Sequence, residues 1–293
     1  VGPWDHAGTR TPLPEFSGLK FGPASVIDMN ALHVAWYDWT MKSGSKPEFL
    51  KAPVAYYVPV AEAWRYAESL DAVTAESRPM YLDSTASRAN DVFASGSLGA
   101  SPGKGAPDRY VYDPLDTSAA SLADDLDAPE YTDQRGIVSN GGKSLIYHTA
   151  PFEADTDLAG FFKLTAFIAI DQPDTDLTVG VYDIARDGTS VFLAADAIRA
   201  RYRESRRAAL PVRPGRIENY TFDSFTFTAR RIEKGHRLRL AIGPADSPGA
   251  QKNYNSGGDV SDETAKDART VTVSVYHDDG HKSALYLPIA KGN

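Results

Sequence analysis

Short runs in which apolar and polar residues alternate dominate the chain from Pro79 to its end. The clearest are the apolar run Phe161 to Ile170 and the alternating run Leu177 to Asp183, which a turn at 171–174 separates. A period of two is typical of strands with one buried face, and Asp187-Gly188 is typical of a hairpin turn. Further strands are predicted at 80–82, 109–112, 145–149, 190–193, 197–203, 220–228, 271–277 and 283–288, the last two as a closing hairpin that turns at Asp279-Gly280.

Helical periodicity is confined to the N-terminal part. Ser25 is placed to cap a helix that ends at Lys42-Ser43-Gly44, where Gly44 is expected to take the left-handed turn. The predicted apolar face of this helix consists of Val26, Met29, Leu32, Trp36 and Trp39. Strands are expected at 53–60 and 63–65, and residues 66–78 lose periodicity, which indicates a boundary. The sequence therefore predicts two units, residues 1–78 and residues 79–293.

Composition narrows the class of protein. The 293 residues carry a net charge of −8 and no cysteine. A strongly acidic balance does not favour a nucleic-acid partner, and no apolar run reaches the about 18 residues of a membrane span. The aspartates between 171 and 187 are interpreted as turn formers, since an EF-hand loop beginning at Asp183 would place Ala194 where a glutamate ligand belongs. The acidic segment 124–127 is expected to be solvated, and no metal or cofactor is predicted.

Candidate chemistry lies at the N-terminus, in Gly2-Pro3-Trp4-Asp5-His6. Gly2-Pro3 interrupts a strand, Trp4 offers an apolar anchor and small residues follow His6, so the loop can hold one imidazole in a fixed orientation. Loop histidines are more often plain surface residues, and both interpretations stay open at this point. Other histidines are interpreted as structural or surface residues: His33, His148 and His236, with His277 and His281 too isolated to form a site.

One segment formally matches the nucleophile elbow of serine hydrolases. Gly99-Ala100-Ser101-Pro102-Gly103 has the G-x-S-x-G spacing. Such an elbow needs a hydrophobic strand before the serine and a helix directly after it. Ser97-Leu98 does not predict a strand, and Pro102-Gly103 cannot begin an ordinary helix. We therefore interpret the segment as a surface loop.

Several ordered segments together resemble one protein family. Gly2-Pro3-Trp4-Asp5-His6 is similar to the G-P-W-x-H segment of the cocaine-esterase and X-Pro dipeptidyl-peptidase family of serine hydrolases. The segments 133–135, 145–147, 155–160, 174–179, 198–205, 234–240 and 253–258 resemble the C-terminal module of the same family. The resemblance extends from Gly2 to Ile289.

The resemblance implies a role for His6 and an architecture for the rest. His6 would be the general base of a Ser-Asp-His triad whose serine and aspartate lie upstream of Val1, on an α/β-hydrolase domain that is the chain's partner. The fold is then mainly β: a jelly-roll, galactose-binding-like β-sandwich, preceded by the last helix and strand of that hydrolase domain. The substrate would be an ester, a β-lactam side-chain amide or an X-Pro peptide, and the chain alone would be inactive.

Two alternatives remain open at the level of sequence. The sandwich could bind carbohydrate, with Tyr254, Trp64 and Tyr110 to Tyr112 as stacking residues, or it could form a homo-oligomer through an exposed sheet edge. The sequence leaves the compartment undecided between the cytoplasm and the exterior.

Overall fold

The computed structural model describes residues 1–84, 88–118, 131–139, 141–245 and 250–291. The acidic segment 124–127 lies outside these ranges. Most ordered elements are strands, and within the described ranges no helix combines the length and the apolarity needed to cross a membrane. The fold is mainly β, as the sequence predicts.

The N-terminal elements form small sheets and one long helix. Strands β1 (Glu15–Phe16) and β2 (Leu19–Lys20) make a short hairpin, and helix α1 (Met29–Lys42) follows. Strands β3 (Val54–Val58) and β4 (Ala63–Ala67) then pair as a second hairpin, with Tyr57 opposite Trp64. The predicted strands at 53–60 and 63–65 are thus confirmed.

The remaining strands belong to one extended sheet. Its members are β5 (Thr74–Asp83), β6 (Gly96–Gly99), β7 (Asp108–Tyr112), β8 (Leu145–Thr149), β9 (Thr156–Gly160), β10 (Lys163–Ile170), β11 (Asp176–Ile184), β12 (Ser190–Arg199), β13 (Glu218–Phe222), β14 (Thr228–Ile232), β15 (Arg237–Pro244), β16 (Val271–Tyr276) and β17 (Ala284–Ala290), with a four-residue helix α2 (Arg135–Val138). The main order is β12-β11-β15-β8-β6-β5-β17-β10-β16-β7. Strand β13 pairs with β10, and β9 pairs with both β14 and β17.

Alternating side chains from opposite ends of this order meet in one core. Val271, Val273 and Val275 of β16 are buried, and Leu177 and Val179 of β11 are buried in the same apolar cluster. Strands so far apart in the hydrogen-bonded order can share a core only if the sheet folds over on itself, which makes a β-sandwich. Burial of each such side chain contributes about 1.5–3 kcal/mol to the stability of the folded state. The finer jelly-roll topology stays a prediction.

The β3–β4 hairpin is joined to the sandwich by a small apolar cluster and an ion pair. Tyr56 and Val58 pack with Ala159 of β9. Arg65 on β4 lies 2.5 Å from Asp157 on β9, whose other carboxylate oxygen accepts a hydrogen bond from Arg231 on β14. Burial acts to raise the pKa of Asp157, but hydrogen bonds and charge from Arg231 and Arg65 outweigh it and lower the pKa.

Several predicted boundaries are wrong. Strands β16 and β17 do not pair with each other as a closing hairpin, because each pairs with a different part of β10. The runs 190–193 and 197–199 belong to one continuous strand, β12, which shifts register where Val181 and Tyr182 face Ala194 and Phe192. It ends at Arg199, since Asp174 accepts a hydrogen bond from the backbone N–H of Arg201. The run 220–228 is interrupted between β13 and β14.

The helix and the predicted boundary also differ from expectation. Asp28, not Ser25, caps α1 by accepting a hydrogen bond from Ala31 N, because Ser25 belongs to a separate turn of 3₁₀ helix. At the other end Ser43, not Gly44, takes the left-handed conformation, with φ of 58°. Strand β5 begins at Thr74 and crosses position 78, so the loss of periodicity does not mark a loop there. The division into residues 1–78 and 79–293 stays a prediction.

Candidate functional site

His6 lies in a loop whose backbone is held on both sides. The carboxylate of Asp5 accepts a hydrogen bond from Gly8 N at 2.7 Å, across His6. The hydroxyl of Thr9 donates to the carbonyl oxygen of His6 at 2.7 Å. These bonds close a tight turn, which continues as a 3₁₀ helix over Ala7–Thr9. The backbone of His6 is therefore fixed by its own neighbours.

The loop is anchored on the β3–β4 hairpin. The carbonyl oxygen of Val1 accepts a hydrogen bond from Tyr57 N at 3.0 Å, so the first residue lies alongside β3. Trp4 packs against Trp64 of β4 with ring centroids 6.0 Å apart. A Cβ at Gly2 would lie 2.2 Å from the Trp4 ring, so a larger residue there would require the ring to move. The anchoring role that the sequence predicted for Trp4 agrees with these contacts.

The imidazole of His6 is exposed and makes no hydrogen bond with the described residues. No serine hydroxyl or carboxylate from these residues contacts the ring. General-base catalysis requires a nucleophile within about 2.6–3.2 Å of the ring nitrogen, directly or through one water. His6 is thus accessible to an external partner, and the described residues supply no nucleophile for it.

Helix α1 offers a large apolar surface close in sequence to this loop. It contains no buried residue, and Met41 is 74% exposed. We define the α1 apolar surface as its exposed large hydrophobic residues: Val34, Trp36, Tyr37, Trp39 and Met41. By helix geometry Val34, Tyr37 and Met41 lie on one side of α1 and Trp36 and Trp39 on the opposite side, so apolar residues are exposed on both sides. The predicted apolar face is only half right, because Trp36 and Trp39 are exposed while Met29 and Leu32 are half-buried.

A second constellation lies inside the sandwich and was missed by sequence reasoning. Ser84 donates a hydrogen bond to Asp108 at 2.5 Å, and His277 Nε2 lies 3.1 Å from the other oxygen of Asp108. The Tyr147 hydroxyl also donates to that oxygen, at 2.8 Å. Burial and the Asp108 carboxylate raise the pKa of Tyr147 well above its usual value. His277 is therefore not isolated: it belongs to a buried hydrogen-bonded group.

Register explains how these distant residues meet. Asp108 begins β7 opposite Val275 of β16, and His277 follows two residues later on the same face. No motif in the sequence connects Ser84 with a histidine 193 positions away. The only signal available was the inward position of Asp108 and Val275 in their alternating strands.

The constellation contains serine, histidine and aspartate but lacks the geometry of a catalytic triad. In a triad the carboxylate holds the ring nitrogen opposite to the one that faces the serine. Here the same nitrogen, Nε2, faces both Ser84, at 3.3 Å, and Asp108. The opposite nitrogen, Nδ1, lies 3.9 Å from Asp83, too far for a hydrogen bond. We conclude that this buried group is structural.

The other histidines of the sandwich are also structural. His148 on β8 lies between Ser95, at 2.7 Å, and Arg239, at 2.9 Å. Burial, and then the charges of Arg239 and Arg237, lower the pKa of His148 to about 4. His236 contacts Asp183 at 2.8 Å. His33 is exposed on α1.

The aspartates between 171 and 187 bind arginines and backbone amides. Asp174 pairs with Arg201, Asp176 with Arg199 and Asp183 with Arg230. Asp187 accepts a hydrogen bond from Thr189 N in the turn after β11. These contacts give each carboxylate a structural partner. Among the described residues, no group of three or more acidic or histidine residues could hold a metal ion.

Two further expectations concern loops and aromatic residues. Contrary to expectation, a strand does precede Ser101, because β6 ends at Gly99. No helix follows Ser101, and a nucleophile elbow needs one. The segment is therefore still not an elbow, because the helix is missing and not because the strand is. Tyr110 and Tyr112 are buried, so the expectation that they stack on a sugar is wrong.

Comparison with known proteins gives consistent results. The family model for the X-Pro dipeptidyl-peptidase C-terminal non-catalytic domain matches residues 34–285. Cocaine esterase from Rhodococcus sp. (strain MB1 Bresler) is 26% identical over 301 residues, which cover 99% of this chain and 51% of that protein.

Solved structures share the fold. An aminopeptidase from the marine sediment archaeon Thaumarchaeota archaeon superposes with a TM-score of 0.84 at 20% identity, over 99% of this chain and 48% of its own. An alpha-amino acid ester hydrolase gives a TM-score of 0.81 at 18% identity, over 98% of this chain and 49% of its own. The chain spans about half the length of the curated relatives it matches. The match to the family model begins after His6, whereas the alignment to cocaine esterase covers nearly the whole chain.

Proposed function

The chain belongs to the family of X-Pro dipeptidyl-peptidase C-terminal non-catalytic domains, and from this premise we propose that it is the C-terminal part of a serine hydrolase of ester or amide bonds. In this proposal His6 is the general base of the parent enzyme, and the sandwich forms part of the substrate pocket. The serine and the aspartate of the triad come from an α/β-hydrolase domain upstream.

The observation that carries the proposal is the exposure of His6 on a fixed backbone. The structural histidines of the sandwich have polar partners: His277 and His236 face carboxylates, and His148 lies between Ser95 and Arg239. The ring of His6 instead points to no partner among the described residues, although the bonds of Asp5 and Thr9 restrain its backbone. A base that receives its nucleophile from another domain has this combination of accessibility and restraint.

The α1 apolar surface supports the same proposal. A helix with no fully buried residue gains little from packing within this chain, although packing supplies most helical stability in proteins. We propose that the upstream hydrolase domain covers this surface. The same domain would present its serine and aspartate to His6.

In the proposed mechanism, His6 accepts the serine proton as the hydroxyl attacks the carbonyl carbon of the substrate. The same proton then passes to the leaving alcohol or amine, and the upstream aspartate fixes the tautomer of the ring. A water molecule, deprotonated by His6, releases the acyl group in the second half of the reaction. The substrate would be an acyl ester, a β-lactam side-chain amide or an X-Pro dipeptidyl amide.

The test uses the full-length gene product and an ester substrate such as p-nitrophenyl acetate. We expect His6→Ala to lower kcat by a factor on the order of 10⁴–10⁶, because removal of a triad base disables the nucleophile. His281→Ala is the matched control, a partly exposed histidine in the connection between β16 and β17, and should leave kcat unchanged. Full activity of the His6→Ala enzyme, or turnover by residues 1–293 alone, would refute the proposal.

A further inference from the structure

A cavity of about 930 Å³ opens where β5 ends and β6 begins. Asp83 and Ser97 lie opposite each other in the register of these strands, and Ser84 follows directly. Arg88 and Asn90 complete this polar wall. The volume is within the range of small-molecule pockets, about 300–1,000 Å³. None of the residues that line it belongs to the His6 loop or to α1.

The polar wall is held in place by buried groups behind it. Ser84 is fixed by its bond to Asp108, which also binds His277. Ser95, a further lining residue, is fixed by His148 at 2.7 Å. Binding sites gain affinity when their polar groups are ordered before the ligand arrives, because less conformational entropy is lost. The buried histidines of the sandwich thus pre-organise two hydroxyls of this cavity.

An aromatic ring stands at the same cavity. Phe93 is 89% exposed, the highest value among the large hydrophobic residues that the structure describes. Hydrogen bonds fix the backbone at this position, because the Asp91 carboxylate accepts them from Phe93 N at 2.6 Å and Ala94 N at 3.2 Å. This turn presents a flat apolar face beside a wall of hydroxyl, amide and carboxylate groups.

These groups select for a neutral ligand with many hydroxyls. Asp83 and Asp91 accept hydrogen bonds, Arg88 donates, and serine and Asn90 do both. Two carboxylates repel a phosphate, and among the described residues no cluster suited to a metal ion is present. A sugar matches both features, since its hydroxyls exchange hydrogen bonds with the wall and its C–H face packs on an aromatic ring.

We propose that this cavity binds a neutral saccharide, with Phe93 against the sugar ring and Asp83, Asn90 and Ser97 bonded to its hydroxyls. The site differs from the stacking residues that the sequence suggested. The site does not include His6, so the saccharide proposal can be refuted without refuting the hydrolase proposal, and the reverse also holds.

The test is a titration of the chain with glucose, galactose, xylose and N-acetylglucosamine, followed by NMR. We expect saturable binding of at least one sugar, weakened about tenfold or more by Phe93→Ala and largely retained by Phe93→Trp, which keeps an aromatic face. Leu210→Ala, which removes another exposed hydrophobic side chain, is the control and should not alter binding. Because Phe93 is almost fully exposed, its replacement should leave the thermal unfolding midpoint unchanged.

Three results would overturn the proposal. The first is no saturable binding of any of the four sugars at concentrations up to about 100 mM, roughly the weakest affinity that such titrations resolve. The second is binding that Phe93→Ala does not weaken. The third is a change in the NMR chemical shifts of the lining residues when inorganic phosphate is added but not when any sugar is added. That result would make the cavity an anion site.

Discussion

Apolar residues and histidines have opposite environments in the sandwich and in the N-terminal region. In the sandwich, apolar side chains of β10, β11 and β16 are buried, and His277 has a carboxylate within 3.1 Å. In the N-terminal region, helix α1 buries no residue, and His6 is exposed with no hydrogen-bond partner for its ring among the described residues. The difference teaches that the sandwich satisfies these groups internally, whereas α1 and the His6 loop leave them open to solvent, as the proposed upstream domain would require.

The largest effect is expected where a buried carboxylate is removed from the groups that bond to it. Asp108→Ala removes the acceptor of Ser84, Tyr147 and His277 at once. Each polar group left buried without a partner costs about 1–3 kcal/mol, so the variant should lose about 3–5 kcal/mol of unfolding free energy. Urea unfolding of the two proteins measures this loss. Asp5→Ala, on the exposed loop, is the comparison and should cost no more than about 1 kcal/mol; equal losses for the two variants would erase the contrast between the regions.

A direct comparison uses one apolar residue from each region. Leu164→Ala on β10 should lower the free energy of unfolding by about 2–5 kcal/mol, since the side chain is fully buried and leaves a cavity. Met41→Ala on α1 should change it by no more than about 0.5 kcal/mol in this chain. Denaturant midpoints for the two variants provide the test. A loss above about 2 kcal/mol for Met41→Ala would mean that α1 already has a packing partner in the chain.

A smaller effect concerns pH and a buried histidine. The pKa of His148 in the folded chain is about 4, below the ordinary value of 6.5. As the pH falls, His148 therefore binds a proton in the unfolded chain before it does so in the folded chain. The stability that depends on neutral His148 is fully present above pH 6.5 and is lost as the pH falls toward 4. Between pH 7 and pH 5 the loss should be on the order of 1–2 kcal/mol.

The variant His148→Gln isolates this contribution, because carboxylates titrate in both proteins alike. Its unfolding free energy should fall less between pH 7 and pH 5 than that of the parent chain. His33→Gln, on exposed α1, should keep the parent's pH dependence. If His148→Gln retains the full slope, His148 is not the group responsible.

Much of the fold follows from local pattern. Strands β7, β8, β11 and β16 lie within about a residue of their predicted ends, because one face of each is buried and alternation records that burial. Pairing was less predictable. Whether β16 binds β17 or β10 depends on contacts distant in sequence, and the turn residues between the two strands were compatible with a hairpin that does not form.

The candidate sites also differ in how far they could be predicted from the sequence. His6 could be singled out from its loop and its resemblance to a family, because that information is contiguous. The Ser84, Asp108 and His277 group and the cavity next to it could not, since their members come from separate strands. The exposure of Phe93 was equally hidden, because a single phenylalanine in a polar segment does not reveal which way it points.

By itself the sequence determined that this protein is mainly β and that its long helix lies in the N-terminal part, and it singled out His6 as the candidate for chemistry. The tertiary structure alone decided which strands are neighbours, which histidines are buried and where a polar cavity opens. The physical reason is the range of the interactions involved. Alternation and turn chemistry act over a few residues, whereas register, burial and charge pairing depend on chain segments brought together only by the folded core.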